Sequence, residues 1–382
     1  MTLWIQHGYG KGDKITRVAT KIEGVVLSPA DEKPAALSEL VAHLEANNVR
    51  ALLDPQLYVV NIEKSVTRHH KDHGIDYSGV DWSADPDVIT KTAKAVVNAN
   101  AALGLKDVIA PAPLQRALGD KWAPLGLQYA RAVKALVGTD RTFASFVLHE
   151  MALTKWQDVD EWLTSVTKLD VAGFYAVIVR SAGADYPASW DEDRLTHLCR
   201  AIHRLVLNGY RVVVGYTDID GLALAALGAS AATGWFHSMR RFQEAKWRPS
   251  DGGAQALPRV LSDRLYYPIR LDEARDLVKA GDAALVSSRK SERDAVSGQF
   301  DITASRNQYL EAMARLSADA SSGTSAKDRV ERLLDSLRSA HKDLTRLAKG
   351  PLPRGLTYRN QLDSIGAALR GAGEAEGLLP KP

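Results

Sequence analysis

Several short segments of this chain combine residue types at spacings that acid–base or anion-binding chemistry needs. Asp54 closes the apolar run Ala51-Leu52-Leu53 and precedes Pro55, which ends a strand and fixes the turn. A carboxylate there can act as a general base or hold a ligand's donors; the alternative is a carboxylate that only caps the turn. Gln56 adds an amide that both donates and accepts, suited to a flat heterocycle or a sugar, and Tyr58 follows it. The segment Gly215–Gly221 carries Tyr216, Asp218 and Asp220 just beyond the apolar run Arg211–Gly215. Asp218 stands where a catalytic acid or base belongs, while Asp220 suits a helix cap. Two such carboxylates also suit Mg²⁺, although no third ligand lies nearby in sequence.

A third segment runs from Thr233 through Gly234, Trp235 and His237 to Arg240 and Arg241. Glycine admits a ligand close to the backbone, tryptophan offers a stacking face, and paired arginines neutralise an anion such as a phosphate. The alternative is a core Trp235 with Arg240 and Arg241 on the surface. His149-Glu150 ends another apolar run, but position 153 is Leu153, so the zincin pattern is absent. His69, His70 and His73, with Lys71 and Asp72 between them, resemble a metal or proton-transfer cluster, although adjacent histidines on a polar stretch are more often solvated. Ser28, Arg180, Asp263 and Arg264 complete the polar groups found at the ends of apolar runs.

Those runs set the architecture. Short apolar stretches alternate with helix-like ones, at Gly24–Leu27, Val49–Leu53, Val108–Ala110, Phe143–Leu148, Gly173–Val179, Arg211–Gly215, Ala229–Ala232 and Arg259–Leu261. The pattern predicts a parallel sheet covered by helices, and its count predicts an α/β (β/α)8 TIM-like barrel, with an open doubly wound sheet as the alternative. In a barrel the run ends converge on one rim, which is why the residues above are candidates. Residues 1–19 are read as an N-terminal segment, 20–269 as the barrel and 270–382 as a helical extension ending in a loose tail. Within that extension Val330, Leu333, Leu334, Leu337, Leu344 and Leu347 form one apolar stripe, which must pack on the barrel or on a second subunit.

Composition narrows the class. A chain of 382 residues with 45% hydrophobic and 25% charged content is ordinary for a globular protein. No stretch reaches the apolar length of a membrane span, and the opening residues lack a signal-peptide pattern, so a cytoplasmic protein is expected. The single cysteine, Cys199, excludes an internal disulfide and a multi-cysteine zinc site; its apolar neighbours suit a buried small side chain. The net charge of +3 is small, with the basic excess lying toward the C-terminus. That permits an acidic partner such as nucleic acid, although a solvated helix surface explains it as well.

On the run Leu52-Leu53-Asp54-Pro55-Gln56, and on the strand–short helix–strand order from Gly215 to Trp235, the chain resembles the tRNA-guanine transglycosylase-like barrels. That group includes enzymes inserting deazaguanine bases into nucleic acid. The resemblance implies that Asp54 recognises a base or carries a proton. The family's Asp-Ser-Gly is here Asp-Pro-Gln, no aspartate stands near Ala232-Thr233 as its nucleophile, and the cysteine zinc site is absent.

The expectation is therefore a barrel enzyme, a transferase or hydrolase for ribosyl or glycosyl groups. Its ligand is polar and nucleoside- or sugar-phosphate-like, and Asp54 and Asp218 do the acid–base work. No cofactor is expected, because no dinucleotide fingerprint is present. Two rivals remain: a metal-assisted hydrolase using Asp218, His149 and Glu150, with the His69–His73 stretch as a further source of ligands for a divalent metal, and a non-catalytic barrel that binds a macromolecule through its helices. Nucleic acid and a second copy of the chain are the partners considered.

Overall fold

A computed structural model describes residues 3–8, 12–65, 68–75, 82–181, 189–249 and 256–381. Its centre is a set of parallel strands: β1 (Leu3–Gln6), β2 (Gly24–Leu27), β3 (Arg50–Leu53), β4 (Val108–Ile109), β5 (Leu114–Gln115), β6 (Thr142–His149), β7 (Gly173–Val179), β8 (Arg211–Gly215) and β9 (Ser230–Thr233). They hydrogen-bond in the order β3-β2-β1-β9-β8-β7-β6-β4, and β5 pairs with the far end of β6. β4 and β5 thus form one interrupted strand. Pro111 and Pro113 stand in the gap, where each removes a ladder donor. β3 lies beside β4, so the ring of eight positions is nearly closed. This is the expected TIM-like barrel, and not an open sheet.

The identity of one strand differs from expectation. Leu3–Gln6 is a barrel strand, paired with both β2 and β9, inside the segment read as 1–19. Arg259–Leu261 is not in the barrel; β10 (Arg259–Ser262) pairs antiparallel with β11 (Tyr267–Arg270) in a separate hairpin. Physical chemistry explains the exchange. Parallel neighbours need a crossover of about a dozen residues, and the short turn after Ser262 permits only a hairpin. β1 escaped notice because it is only four residues long and the helix behind it, α1 (Asp13–Thr16), is only one turn.

Helices cover the outside: α2 (Pro34–Ala46), α3 (Pro86–Ala102), α4 (Trp122–Val137), α5 (Trp156–Val166), α6 (Glu192–Leu207) and the short α7 (Gly221–Ala226). α6 stops at Asn208-Gly209, with Gly209 in the left-handed region at φ 84°. Cys199 is fully buried in α6, and burial raises its thiol well above the ordinary range, consistent with a packing role.

Beyond the hairpin come α8 (Leu271–Lys279), α9 (Ala283–Val286), α10 (Lys290–Ser297), α11 (Ile302–Ser321), α12 (Ala326–Leu347) and α13 (Gly355–Ala375). α11 packs against α7 and β1 and so occupies the outer layer next to the last barrel strand. The α12 stripe is buried chiefly against α13, a helix of the same extension, and not mainly on the barrel as expected; α13 in turn lies on α6. The loose tail expected at the C-terminal end is short, because α13 runs on to Ala375. Beyond it Glu376 accepts from Arg200 Nε at 2.8 Å and Arg204 Nε at 3.0 Å, and both guanidinium groups lie over the Trp156 ring. Among the described residues no helix is long and apolar enough to cross a membrane.

Candidate functional site

Pro55 biases Asp54 toward an extended backbone, and Gln56 then turns back with a left-handed φ of 53°. The Gln56 N–H donates to Asp54 Oδ1 at 3.0 Å, closing an Asx-type turn. The turn-capping alternative is therefore realised on one carboxylate oxygen. The other oxygen does something else. Asp54 Oδ2 accepts from the Tyr58 hydroxyl at 2.7 Å and from the Tyr175 hydroxyl at 2.9 Å.

Around this carboxylate the barrel mouth is lined by polar groups from five strands or their ends. Gln56 Oε1 accepts from Ser28 Oγ at 2.9 Å and from the Ala30 N–H at 3.3 Å, and its Nε2 donates to the Tyr216 hydroxyl at 3.0 Å. Its amide is thus engaged within the protein and not presented to a heterocycle. Tyr216 also has a positive φ, 57°, just past β8. Two left-handed non-glycine residues joined by a hydrogen bond mark stored backbone strain, a feature that concentrates at functional sites. Gln6, at the end of β1, accepts from Tyr175 at 3.3 Å, while its buried Nε2 has no partner among the described residues.

Burial pushes the Asp54 carboxyl up to about 6, against the lowering pull of the Tyr58, Gln56 and Tyr175 hydrogen bonds and the Lys246 charge. Burial and the neighbouring Asp54 charge raise the hydroxyls of Tyr58, Tyr175 and Tyr216 well above their ordinary range, so all remain donors near neutrality.

The loop after β9 covers this group. Phe242 bridges to Val179 and its carbonyl accepts from the Arg180 N–H at 2.9 Å; its ring meets Tyr58 and Tyr216 edge-on. Trp247 stacks beside Phe242, and its indole N–H is buried with no partner among the described residues. Lys246 and Arg68 both face Asp31, at 3.9 Å and 2.8 Å. Burial lowers the Lys246 amine to about 8, the pull of Asp31 notwithstanding.

A second cluster sits beside the first. Asp218 Oδ1 accepts from the Tyr309 hydroxyl at 2.7 Å, and Tyr309 also meets Thr233 Oγ1 at 3.0 Å. Arg240 lies over the Tyr309 ring at 3.2 Å and donates to the Gly234 and Trp235 carbonyls. Arg180 donates to Glu150 at 2.7 Å and lies over Trp190 at 3.5 Å. Burial works to raise Glu150, but Arg180 and Ser181 outweigh it and hold the carboxyl low. Asp220 accepts from the Trp190 indole at 2.9 Å and the Asp218 N–H at 2.8 Å; burial raises its carboxyl. Arg180, Asp218, Asp220, Arg241, Tyr266 and Ile365 share one narrow cleft, closed on its far side by the hairpin and α13.

No family model matches the chain, and no curated protein matches it in sequence. Among solved structures it is similar to the carboxyl transferase domain of Rhizobium etli pyruvate carboxylase with 3-hydroxypyruvate. That alignment has 12% identity and a TM-score of 0.37, covering 98% of this chain and 61% of that one. The same domain with pyruvate and biocytin aligns at 10% identity and a TM-score of 0.37, again over 98% and 61%. A pyruvate carboxylase with acetyl coenzyme-A aligns at 10% identity and a TM-score of 0.33, over 99% of this chain and 35% of that one. The chain thus spans about three-fifths of the length of the domains it aligns with.

Ser28, Asp54, Gln56, Tyr58 and Tyr216 therefore converge, and Arg180, Asp218, Thr233, Arg240 and Arg241 gather beside them. Others fall elsewhere. Asp263 and Arg264 lie in the turn of the separate hairpin, where Asp263 accepts from Ser288 and pairs with Arg315; they leave the rim because β10 is not a barrel strand. Trp235 is buried edge-on to His7, and His237 is exposed beyond it. His149 is half-buried at the end of β6, with Nδ1 facing the Met151 N–H at 3.3 Å. His70 and His73 are not solvated. Both are buried, and His73 Nε2 meets the Glu32 carbonyl at 2.8 Å. Among the described residues no three His, Cys, Asp or Glu side chains come together to hold a metal, so Asp218, His149 and Glu150 do not form the set that a metal-assisted reading needs.

Sequence reasoning missed Gln6, Tyr175, Lys246, Arg68 and Tyr309. Gln6 and Tyr175 had a signal, since each is a polar side chain in an otherwise apolar strand, LWIQ and GFYAVIV. Lys246 and Tyr309 had none, because their approach to the rim depends on tertiary packing.

Proposed function

We propose that the carboxyl-terminal rim of this barrel is an active site for carboxylate acid–base chemistry. The ligand is polar and nucleoside- or sugar-phosphate-like, and the reaction class is ribosyl or glycosyl transfer or hydrolysis. The observation that carries the reading is the Asp54 carboxyl, buried between two tyrosine hydroxyls and pushed up to about 6. A group with that affinity both gives and takes a proton near neutrality, the property that general acid–base catalysis uses. Gln6 Nε2 and Trp247 Nε1, buried donors with no partner among the described residues, suit ligand oxygens or bridging waters. Arg240 and Arg241, with Trp190 and Tyr266, suit an anionic group and an apolar ring face in the adjoining cleft. The resemblance to transglycosylase-like barrels supports a base or ribose as the recognised part, and nucleic acid as one source of it.

Asp54 is only 1% exposed, so the Phe242–Trp247 cover must move for a ligand to reach it. The test is a thermal-shift screen of nucleosides, sugar phosphates and short RNA, followed by turnover of each stabilising compound by the wild type and by Asp54→Asn. A ligand at a hundred times its dissociation constant adds about 2.7 kcal/mol. Asp54→Asn should keep binding and lose turnover by at least about a hundredfold, the usual worth of a general acid–base group. Equal turnover by both proteins would sink the reading.

A further inference from the structure

Lys246 is a buried amine with an unusually poor set of acceptors. Its side chain is 11% exposed. An ammonium carries three donors, yet among the described residues its hydrogen bond goes to a thioether, Met239 Sδ, at 3.6 Å. The nearest carboxylate oxygen, Asp31 Oδ2, stands at 3.9 Å and is itself taken by the Ser28 hydroxyl at 2.8 Å, while Arg68 holds the other oxygen of that carboxylate. The rings of Trp247 at 5.2 Å and Tyr216 at 5.7 Å also face it, and the charges of Arg68 and Asp54 act on it. A structural lysine in so dry a place is ordinarily given a close carboxylate or carbonyl. Among the described residues this one has sulfur and aromatic carbon about it and a carboxylate no nearer than 3.9 Å. Burial outweighs the pull of Asp31 and Asp54, so the environment favours the neutral amine, and a neutral lysine is a nucleophile.

We propose that Lys246 is a covalent capture site for a small carbonyl compound, an aldehyde or ketone, which it holds as an imine at the barrel mouth. The lone pair of the neutral Nζ attacks the carbonyl carbon to give a carbinolamine. The carbon–oxygen bond then breaks, and the oxygen leaves as water with the two hydrogens of the amine, relayed through Asp31. The product is the C=N bond between substrate carbon and Nζ; nothing is oxidised or reduced. The inference goes beyond the acid–base reading of Asp54 and does not depend on it.

The experiment is reductive trapping. The whole native protein is incubated with glycolaldehyde, pyruvate or ribose 5-phosphate and sodium cyanoborohydride, and the modified lysines are located by peptide mass spectrometry. Expected is labelling of Lys246 by at least one probe at least tenfold faster than the exposed lysines Lys279 and Lys290, with the preference lost on denaturation. Labelling of Lys246 no faster than those two, with all three probes, overturns the proposal. The assay reads Lys246 alone. Selective trapping in a protein whose Asp54→Asn variant keeps full turnover would leave this inference standing and the acid–base reading fallen, and the reverse pattern would do the opposite.

Discussion

The Tyr175 hydroxyl, from the middle of β7, lies 2.9 Å from Asp54 Oδ2 at the end of β3. The two strands are three places apart around the ring, so the bond crosses the barrel interior. Gly215 makes the crossing fit, since a Cβ built there would stand 2.4 Å from the Tyr175 oxygen and 3.0 Å from Gln6 Oε1. The floor of the site is thus one tyrosine donating across the barrel and one glycine leaving it room.

Tyr175→Phe removes a donor that favours the ionised carboxylate, so Asp54 should rise further above its value of about 6. The loss of one buried hydrogen bond should also cost about 1 kcal/mol. Gly215→Ala should move Asp54 in the same direction and destabilise more, by about 1–3 kcal/mol, because the phenol must shift for the new methyl. Carboxyl titration by NMR together with urea unfolding checks both. A downward movement of Asp54 in either variant contradicts the assignment of Tyr175 as its donor.

Asp54 also makes stability depend on pH. Its folded affinity, about 6, lies above the unfolded 3.8, so the folded state holds this proton more tightly. That contribution is complete below about pH 4 and is lost as pH rises through 6. Above pH 7 the ionised, buried carboxylate is a burden of up to about 3 kcal/mol. Asp54→Asn should therefore be at least as stable as the wild type at pH 8, with its relative advantage shrinking toward pH 4. Melting temperatures of both proteins across that range decide it; a variant markedly weaker at pH 8 than at pH 4 contradicts the sign.

Much of this arrangement was legible in advance. Asp54 stood out because proline follows it directly, and Asp218 because it lies just beyond an apolar strand. The barrel itself followed from alternation, a local property. What escaped was set by partners distant in sequence. The run at Arg259–Leu261 read like the eighth barrel strand, and only the short turn that follows it, returning the chain along Tyr267–Arg270, makes a hairpin. Tyr309 reaches Asp218 from 91 residues away through the placement of α11, which no local pattern encodes. The histidines at 69–73 looked solvated because their neighbours are polar, yet a one-turn helix points His70 and His73 inward.

Arg180 and Glu150 form an ion pair with both side chains only 8% exposed. Removing one partner of such a pair strands a buried charge, and the usual loss is about 3–5 kcal/mol. Arg180→Met should fall in that range and should also free the Trp190 face. Glu150→Gln keeps the side-chain shape but only one acceptor, Oε1, for either Arg180 Nε–H or the Ser181 N–H, and should fall at the lower end of that range. Chemical denaturation of the two variants tests the order, and equal small losses would mean that the pair is solvated.

Tyr309 offers the sharpest test of whether the C-terminal helices belong to the site. Its hydroxyl bonds both Asp218 and Thr233, and its ring lies under Arg240, so one side chain of α11 braces a carboxylate and a guanidinium at the rim. Tyr309→Phe keeps the ring and removes only the oxygen. Stability should fall by about 1–2 kcal/mol, the cost of leaving buried partners unmet. Turnover of whichever compound the ligand screen identifies separates a structural bond from a functional one. If Tyr309→Phe loses stability and keeps full turnover, the hydroxyl is a structural bond and the extension only covers the barrel. If turnover at saturating ligand falls by at least about tenfold while the fold is kept, α11 positions the second carboxylate of the rim, and the C-terminal helices are part of the machinery.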